Sequence, residues 1–338
     1  MDTLEQLEEI LSRPTPGLVR DLGRLEGDVL ILGTGGKIGP TLARMARRAL
    51  DECGGKREVI GVDLFPQPGP REALEKLGIR TLACDLLKRD QVAALPDVPN
   101  VVFMAGTKFG STGAEDFTWA MNAYMPGLVA ERFQGSRIVV FSTGCVYPLV
   151  PVISGGATEE TPPDPVGEYA QSTLGRERVF EFFSRRSNSP LTLFRLNYAV
   201  ELRYGVLLDV GEKVWKGQPV DVTMGHANVL WQGDVAARAL QCLNVAQSPP
   251  TVLNVTGPEV LSIRQVARRY GQLMGREPVI TGQEADTALL VNPAKANGLF
   301  GYPTVAADTV MQWIAHWLEI EGPTLNKPTH YETRDGKF

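Results

Sequence analysis

Residues 28–39 read DVLILGTGGKIG, a short apolar run that ends in a glycine-rich loop. Gly33, Gly36 and Gly39 give G-x-x-G-x-x-G, whereas G-x-G-x-x-G fails because Ile38 stands where its last glycine belongs. Glycines let such a loop turn tightly, approach a pyrophosphate and aim a helix N-terminus at its charge. The loop follows a strand candidate and opens a helical stretch, the context that separates a dinucleotide loop from an ordinary glycine turn. Its residues Gly33, Gly35, Gly36, Lys37, Ile38 and Gly39 are the first candidate cofactor contacts. The next apolar run, EVIGVD, ends in Asp63, 24 residues past Gly39 and near the spacing for a carboxylate that accepts from a ribose hydroxyl. That carboxylate repels a 2′-phosphate, so NAD rather than NADP is the expected cofactor.

Working outward, RTLACD, NVVFMAG and RIVVFST alternate with periodic helical stretches, and LTLFRLN at 191–197 supplies a sixth strand. Alternating strands and helices predict an α/β fold, a doubly wound parallel sheet of the Rossmann type, over 25–197. Residues 1–24 predict a helical N-terminal extension, with Leu4, Leu7, Ile10 and Leu11 at helical spacing before SRPTPG breaks the pattern. Beyond 198 the regularity fails. Short strands (PVDVT, TVLNVT, PVI) and helices near 232–246, 262–275 and 306–320 predict a smaller mixed α/β substrate lobe over 198–338, partly interleaved with the first domain.

Composition excludes several functions. A net charge of −5 with interspersed signs leaves no basic stripe for nucleic acid or an anionic membrane surface. No run of about 18 apolar residues predicts a membrane span, and the acidic start MDTLEQLEEIL does not read as a leader. Cys53, Cys84, Cys145 and Cys242 are scattered and expected to be reduced thiols in a cytoplasm, and three distant histidines predict no metal site.

With the glycine loop and Asp63 in place, the chain resembles the extended short-chain dehydrogenase/reductases, the NAD-dependent epimerase/dehydratase group, over most of 27–320. VVFMAGTK at 101–108, WAMNAYMPG at 119–127, VVFSTGCVYP at 139–148, GEYAQST at 167–173, FRLNYAV at 194–200 and WQGDVAARAL at 231–240 carry the resemblance, and VLNVTGPEVLSIRQVARRYGQLMG at 252–275 matches the C-terminal lobe. It implies that Asp85 and Leu86 lie near an adenine, that Ala105, Gly106 and Lys108 flank the cofactor, and that Asn122 supports it from the next helix. It also implies a catalytic pair, Thr143 and Tyr169, and a homodimer packed through helices near 115–134 and 167–186. Removing hydrogen from a carbinol requires a base at the alcohol oxygen and a second hydroxyl to hold it. Tyr169 and Thr143 fit those two roles.

One departure bears on catalysis. The family places a lysine four residues after the tyrosine, and here that residue is Thr173. A unit charge about 4.5 Å away at an effective dielectric near 20 contributes roughly 3.7 kcal/mol, or about 2.7 pK units. Thr173 can donate to a ribose hydroxyl but brings no charge. Three readings follow: an enzyme that is slow or works at high pH, a cation borrowed from Lys108 before Arg176, or an NAD(H)-binding sensor without catalysis.

Other departures bear on the substrate. Gly144 and Cys145 stand where the dehydratases of this family carry an acidic pair, so dehydration is not expected. Ala227 stands where sugar-nucleotide enzymes carry an arginine seven residues before the helix aspartate, here Asp234, with His226 or Arg203 as substitutes. The expected substrate is therefore a free sugar, polyol or sugar acid, with a nucleotide sugar as the alternative. Asn197, Tyr198, Arg203, His226, Asn228 and Trp231 are the candidate substrate contacts, since amide and aromatic groups suit polyhydroxylated ligands.

Overall fold

In the computed structural model, which describes residues 1–338 except 55, 109, 111 and 338, the run after Asp28 forms β1 (Val29–Leu32), buried at every position. It enters helix α3 (Gly39–Glu52) through the glycine loop. Pro40 occupies the first turn of α3, where its missing N–H costs nothing. Alternation continues through β2 (Val59–Asp63), β3 (Arg80–Ala83), β4 (Asn100–Phe103), β5 (Arg137–Thr143) and β6 (Leu191–Leu196). All strands pair in parallel, in the order β7-β6-β5-β4-β1-β2-β3, where β7 is Thr251–Val255.

Strand β7 corrects the sequence reading. TVLNVT reads like the other short strands after 198, yet Thr251–Val255 pairs with Thr192–Leu196 as the edge of the central sheet. A run of five apolar and small residues looks the same in either sheet, and only its partner distinguishes them. The other short strands are two-residue pairs such as Val220–Asp221 with Ile280–Thr281.

The helices divide between the faces of this sheet and a second core. Leu42, Leu50, Val235 and Leu240, from α3 and a helix over Gln232–Gln241, cover one face. Phe133, just past helix Met125–Arg132, and Phe180, from helix Glu168–Ser187, cover the other. The second core gathers Val210, Tyr270 and Trp317 from helices Val206–Trp215, Ile263–Met274 and Ala307–Glu319. The N-terminal segment forms two short helices, each capped by a threonine side chain. Leu4–Leu11 sends Leu7 and Leu11 into the second core, and Pro16–Gly23 sends Leu18 and Leu22 into the sheet core. Among the described residues no helix is long and apolar enough to cross a membrane.

Strand order reverses between β1 and β4, which are neighbours in the sheet. Their connections leave in opposite directions, opening a crevice at the carboxyl ends where ligands of such sheets bind.

Candidate active site

The crevice is a cleft of about 630 Å³ bounded by the glycine loop, the segment after β4, the end of β5, Tyr169, residues 196–204 and the C-terminal segment near Lys327. Gly33 and Gly39 are required by contact. Gly33 has φ +99°, and a Cβ built there would lie 2.7 Å from the Ala105 nitrogen. A Cβ on Gly39 would sit 2.6 Å from the Thr34 carbonyl carbon. Asp63 accepts from the Gly35 nitrogen at 2.8 Å and from the Leu64 nitrogen at 2.8 Å, which holds its carboxylate beside the loop. This glycine cradle with a carboxylate at its rim fits NAD.

Gly33, Gly35, Gly36, Lys37, Ile38, Gly106 and Lys108 line the cleft itself. Asp85 lies past β3, accepting from the Leu87 nitrogen at 3.0 Å, and Leu86 is buried in the sheet core. Asn122, fully buried, clamps the segment after β4: it accepts from the Thr107 nitrogen at 3.0 Å and donates to the Thr107 carbonyl at 2.8 Å.

Thr143 ends β5 and Tyr169 lies in the first turn of helix Glu168–Ser187, and both line the cleft. Burial pushes the Tyr169 phenol up to about 12, reinforced by Cys145, while Thr143, the Arg176 charge and Thr173 work in the opposite direction. Thr173 is buried, and its hydroxyl donates to the Tyr169 carbonyl at 2.8 Å. The sequence reading gave Thr173 a ribose contact, but its proton is bonded back into its own helix turn. Lys108 lies with Nζ 5.7 Å from the Tyr169 ring centroid and 3.4 Å from the Thr329 carbonyl. Burial lowers its pKa.

The substrate candidates separate. Asn197, Tyr198 and Arg203 line the cleft. Arg203 is committed to Glu8 at 2.6 Å and Glu201 at 3.0 Å, so it is no open anchor for an anion. Asn228, Trp231 and His226 are not among the cleft-lining residues. Asn228 is buried, accepting from Asn197 at 2.8 Å and donating to the Val291 carbonyl at 2.7 Å. Trp231 packs edge-on against Trp313 in the second core, and His226 pairs with Ser262 in a two-stranded ladder.

Sequence reasoning missed two parts of the cleft. Tyr204 places its ring centroid 3.5 Å from Lys37 Nζ. Leu325, Lys327 and Thr329 close the mouth from the C-terminal segment. That segment is tied down where the Leu325 nitrogen donates to the Arg203 carbonyl at 3.0 Å and the Thr329 hydroxyl to Asp209 at 2.6 Å. No motif marks it, because its contacts come from a distant part of the chain. Lys37 is held at about 7, chiefly by burial and then by the charges of Lys108 and Lys327.

The fold is found among known proteins. Residues 29–200 match the model of the NAD dependent epimerase/dehydratase family. No curated protein matches the chain. Among solved structures it resembles UDP-glucuronic acid 4-epimerase from Bacillus cereus, bound to a fluorinated UDP-sugar and NAD (TM-score 0.72, 18% identity, 86% of this chain and 99% of that one). UDP-glucose 4-epimerase of Thermus thermophilus with NAD gives a TM-score of 0.70 at 20% identity, over 86% of this chain and 99% of that one. The Bordetella bronchiseptica enzyme WbmG with NAD and UDP gives 0.71 at 20% identity, over 89% and 96%. At these identities the likeness is one of fold. The family match spans the glycine loop, Asp63, Thr143 and Tyr169, and the chain belongs to the NAD dependent epimerase/dehydratase family.

Proposed function

We propose that this protein is an NAD-dependent oxidoreductase or epimerase acting on a secondary alcohol of a nucleotide sugar. The observation that carries the chemistry is the Thr143–Tyr169 hydroxyl pair facing the same cleft as the glycine loop. NAD held by the glycine loop and Asp63 would supply the acceptor for the carbinol hydride. Tyr169 removes the alcohol proton, and Thr143 holds the alcohol oxygen in line. Because Tyr169 titrates high, the base form is scarce at neutral pH and turnover rises with pH.

The substrate class rests on charge. Ala227 argues for a neutral sugar, but Lys37, Lys108 and Lys327 reach the cleft from three separate segments. Such a cationic lining favours an anion, and the similar structures from Bacillus cereus and Bordetella bronchiseptica hold a UDP-sugar and UDP. A diphosphate would meet lysines here in place of the arginine absent at 227. The test supplies NAD with UDP-glucose, UDP-glucuronic acid and the matching free sugars, following reduced nicotinamide and product stereochemistry. Turnover of a free sugar alone would reverse the substrate reading, and reduction of NAD by none of them would favour the sensor.

Assembly as a cytoplasmic homodimer belongs to the same proposal. Phe117, Trp119, Tyr124 and Phe182 are 40–56% exposed on the segment 115–132 and helix Glu168–Ser187. Sedimentation at micromolar concentration distinguishes dimer from monomer.

A further inference from the structure

We propose that Arg176 supplies the fixed positive charge that Thr173 does not, acting on the Tyr169 phenol as a positioning residue. The inference rests on Tyr169 being the base and concerns a residue to which the family pattern gives no such role.

Arg176 lies two helical turns after Tyr169 on the same helix face. Helical side chains lean toward the N-terminus, so a long one there reaches back toward Tyr169. Both residues meet the end of β5: the phenol is acted on by the Thr143 side chain, and the Arg176 Nη1 donates to the Phe141 carbonyl at 2.8 Å. Residues two apart on a strand are separated by roughly 6.5–7 Å, so the two points on β5 lie about that far apart.

The guanidinium is buried and has an unusual set of partners. Nη2 donates to Asn122 Oδ1 at 2.7 Å, the group stands 5.5 Å from the Phe103 ring centroid, and Nε has no partner among the described residues. Among the described residues no carboxylate forms an ion pair with it. Glu177, the adjacent acid, is bound by Arg195 at 2.6 Å, and Arg195 also donates to the Tyr147 hydroxyl at 2.6 Å. The cluster thus holds two guanidinium groups against one carboxylate, an excess of one positive charge beside the phenol. A buried cation without an anion is costly. A phenolate at Tyr169 restores the balance. The Coulombic interaction acts on both groups, favouring the charged form of each.

Lys108, the cation favoured from sequence, is placed differently. Its ammonium lies off the ring face of Tyr169, bonded to the Thr329 carbonyl and lining the open cleft, where a bound anion competes for it. Arg176 lies behind the phenol, inside the protein, with its charge held in place by Asn122 and β5.

The test follows the Tyr169 phenol directly by NMR of protein labelled at the tyrosine ring carbon bearing oxygen, in the NAD complex, with Tyr169→Phe identifying the resonance. Arg176→Gln is expected to raise the phenol pKa by about 1–2 units, the size of a unit charge at roughly 7 Å and an effective dielectric near 20. Arg176→Lys, which keeps the charge, should stay within about half a unit of the parent and serves if the glutamine variant does not fold. Adding Thr173→Lys to Arg176→Gln should bring the pKa back down, a rescue that a purely packing role for Arg176 does not produce. A phenol pKa that does not rise in Arg176→Gln, a rise in Arg176→Lys as large as loss of the charge gives, or no rescue by Thr173→Lys overturns the inference. The readout needs no turnover, so failure to find a substrate leaves it intact.

Discussion

Gly106 has no side chain where the Arg176 guanidinium lies. A Cβ built on Gly106 overlaps Nη2 outright and comes within 2.8 Å of Asn122 Oδ1. The backbone after β4, the helix carrying Tyr169 and the asparagine that clamps them are therefore fitted to one another around a buried charge. Gly106→Ala should destabilise the fold by about 1–3 kcal/mol, as overpacking of a filled interior does. Thermal unfolding of Gly106→Ala, Arg176→Gln and the double variant checks the origin of that cost. The double variant should be less destabilised than the sum of the singles, and strict additivity would place the strain elsewhere.

Tyr169→Phe should lower kcat by about 10²–10⁴-fold with little change in KM, since the ring still fills its site but no proton can be taken. Thr143→Val should act in the same direction. Turnover unchanged in Tyr169→Phe would remove the phenol from the mechanism.

Because the active form of Tyr169 is deprotonated and burial raises its pKa to about 12, kcat/KM in the parent rises with pH through the alkaline range. Thr173→Lys brings a cation within a helical turn and favours the phenolate. The rise should then begin about a unit or more lower. A pH profile that does not move would mean that another group titrates.

Lys37, lowered to about 7, carries its charge below that pH and loses it above. Affinity for a nucleoside diphosphate should therefore fall as pH rises through neutrality, and Lys37→Met should flatten the dependence. Lys327→Ala removes a repelling neighbour, so the pH at which affinity falls should move up while affinity at low pH drops by several-fold, about 1 kcal/mol. Calorimetric titration with UDP across pH 6–9 reads both.

Asp63→Ala should weaken NAD binding by about tenfold, through loss of the ribose contact proposed for it and of its bond to the Gly35 nitrogen. It should also reduce the preference over NADP, because the repulsion of a 2′-phosphate disappears. Titration of nucleotide-free protein with each dinucleotide decides the point.

The parts legible in the sequence are local ones. Gly33 and Gly39 after an apolar run mark positions where a side chain would clash, so the loop, its strand and its helix could be read from adjacent residues. Asp63 followed by counting along one βαβ unit. Thr143 and Tyr169 were found by the motifs around them, each on the end of a regular element. Trp231 and Asn228 looked like ligands because their types suit sugars, yet packing against Trp313 and bonding to Asn197 and the Val291 carbonyl uses their surfaces inside the fold.

What only the tertiary structure decided depends on partners far apart in the chain. Thr251–Val255 became the seventh strand of the sheet because Thr192–Leu196 had an unpaired edge to offer, which no property of its own sequence states. Lys327 joined Lys37 and Lys108 because the C-terminal segment is drawn over the cleft by its bonds to Arg203 and Asp209. The choice between Lys108 and Arg176 turned on which cation stands behind the phenol and which faces the open cleft. The Coulombic effect of a charge depends on distance and on the surrounding dielectric, and the folded chain sets both.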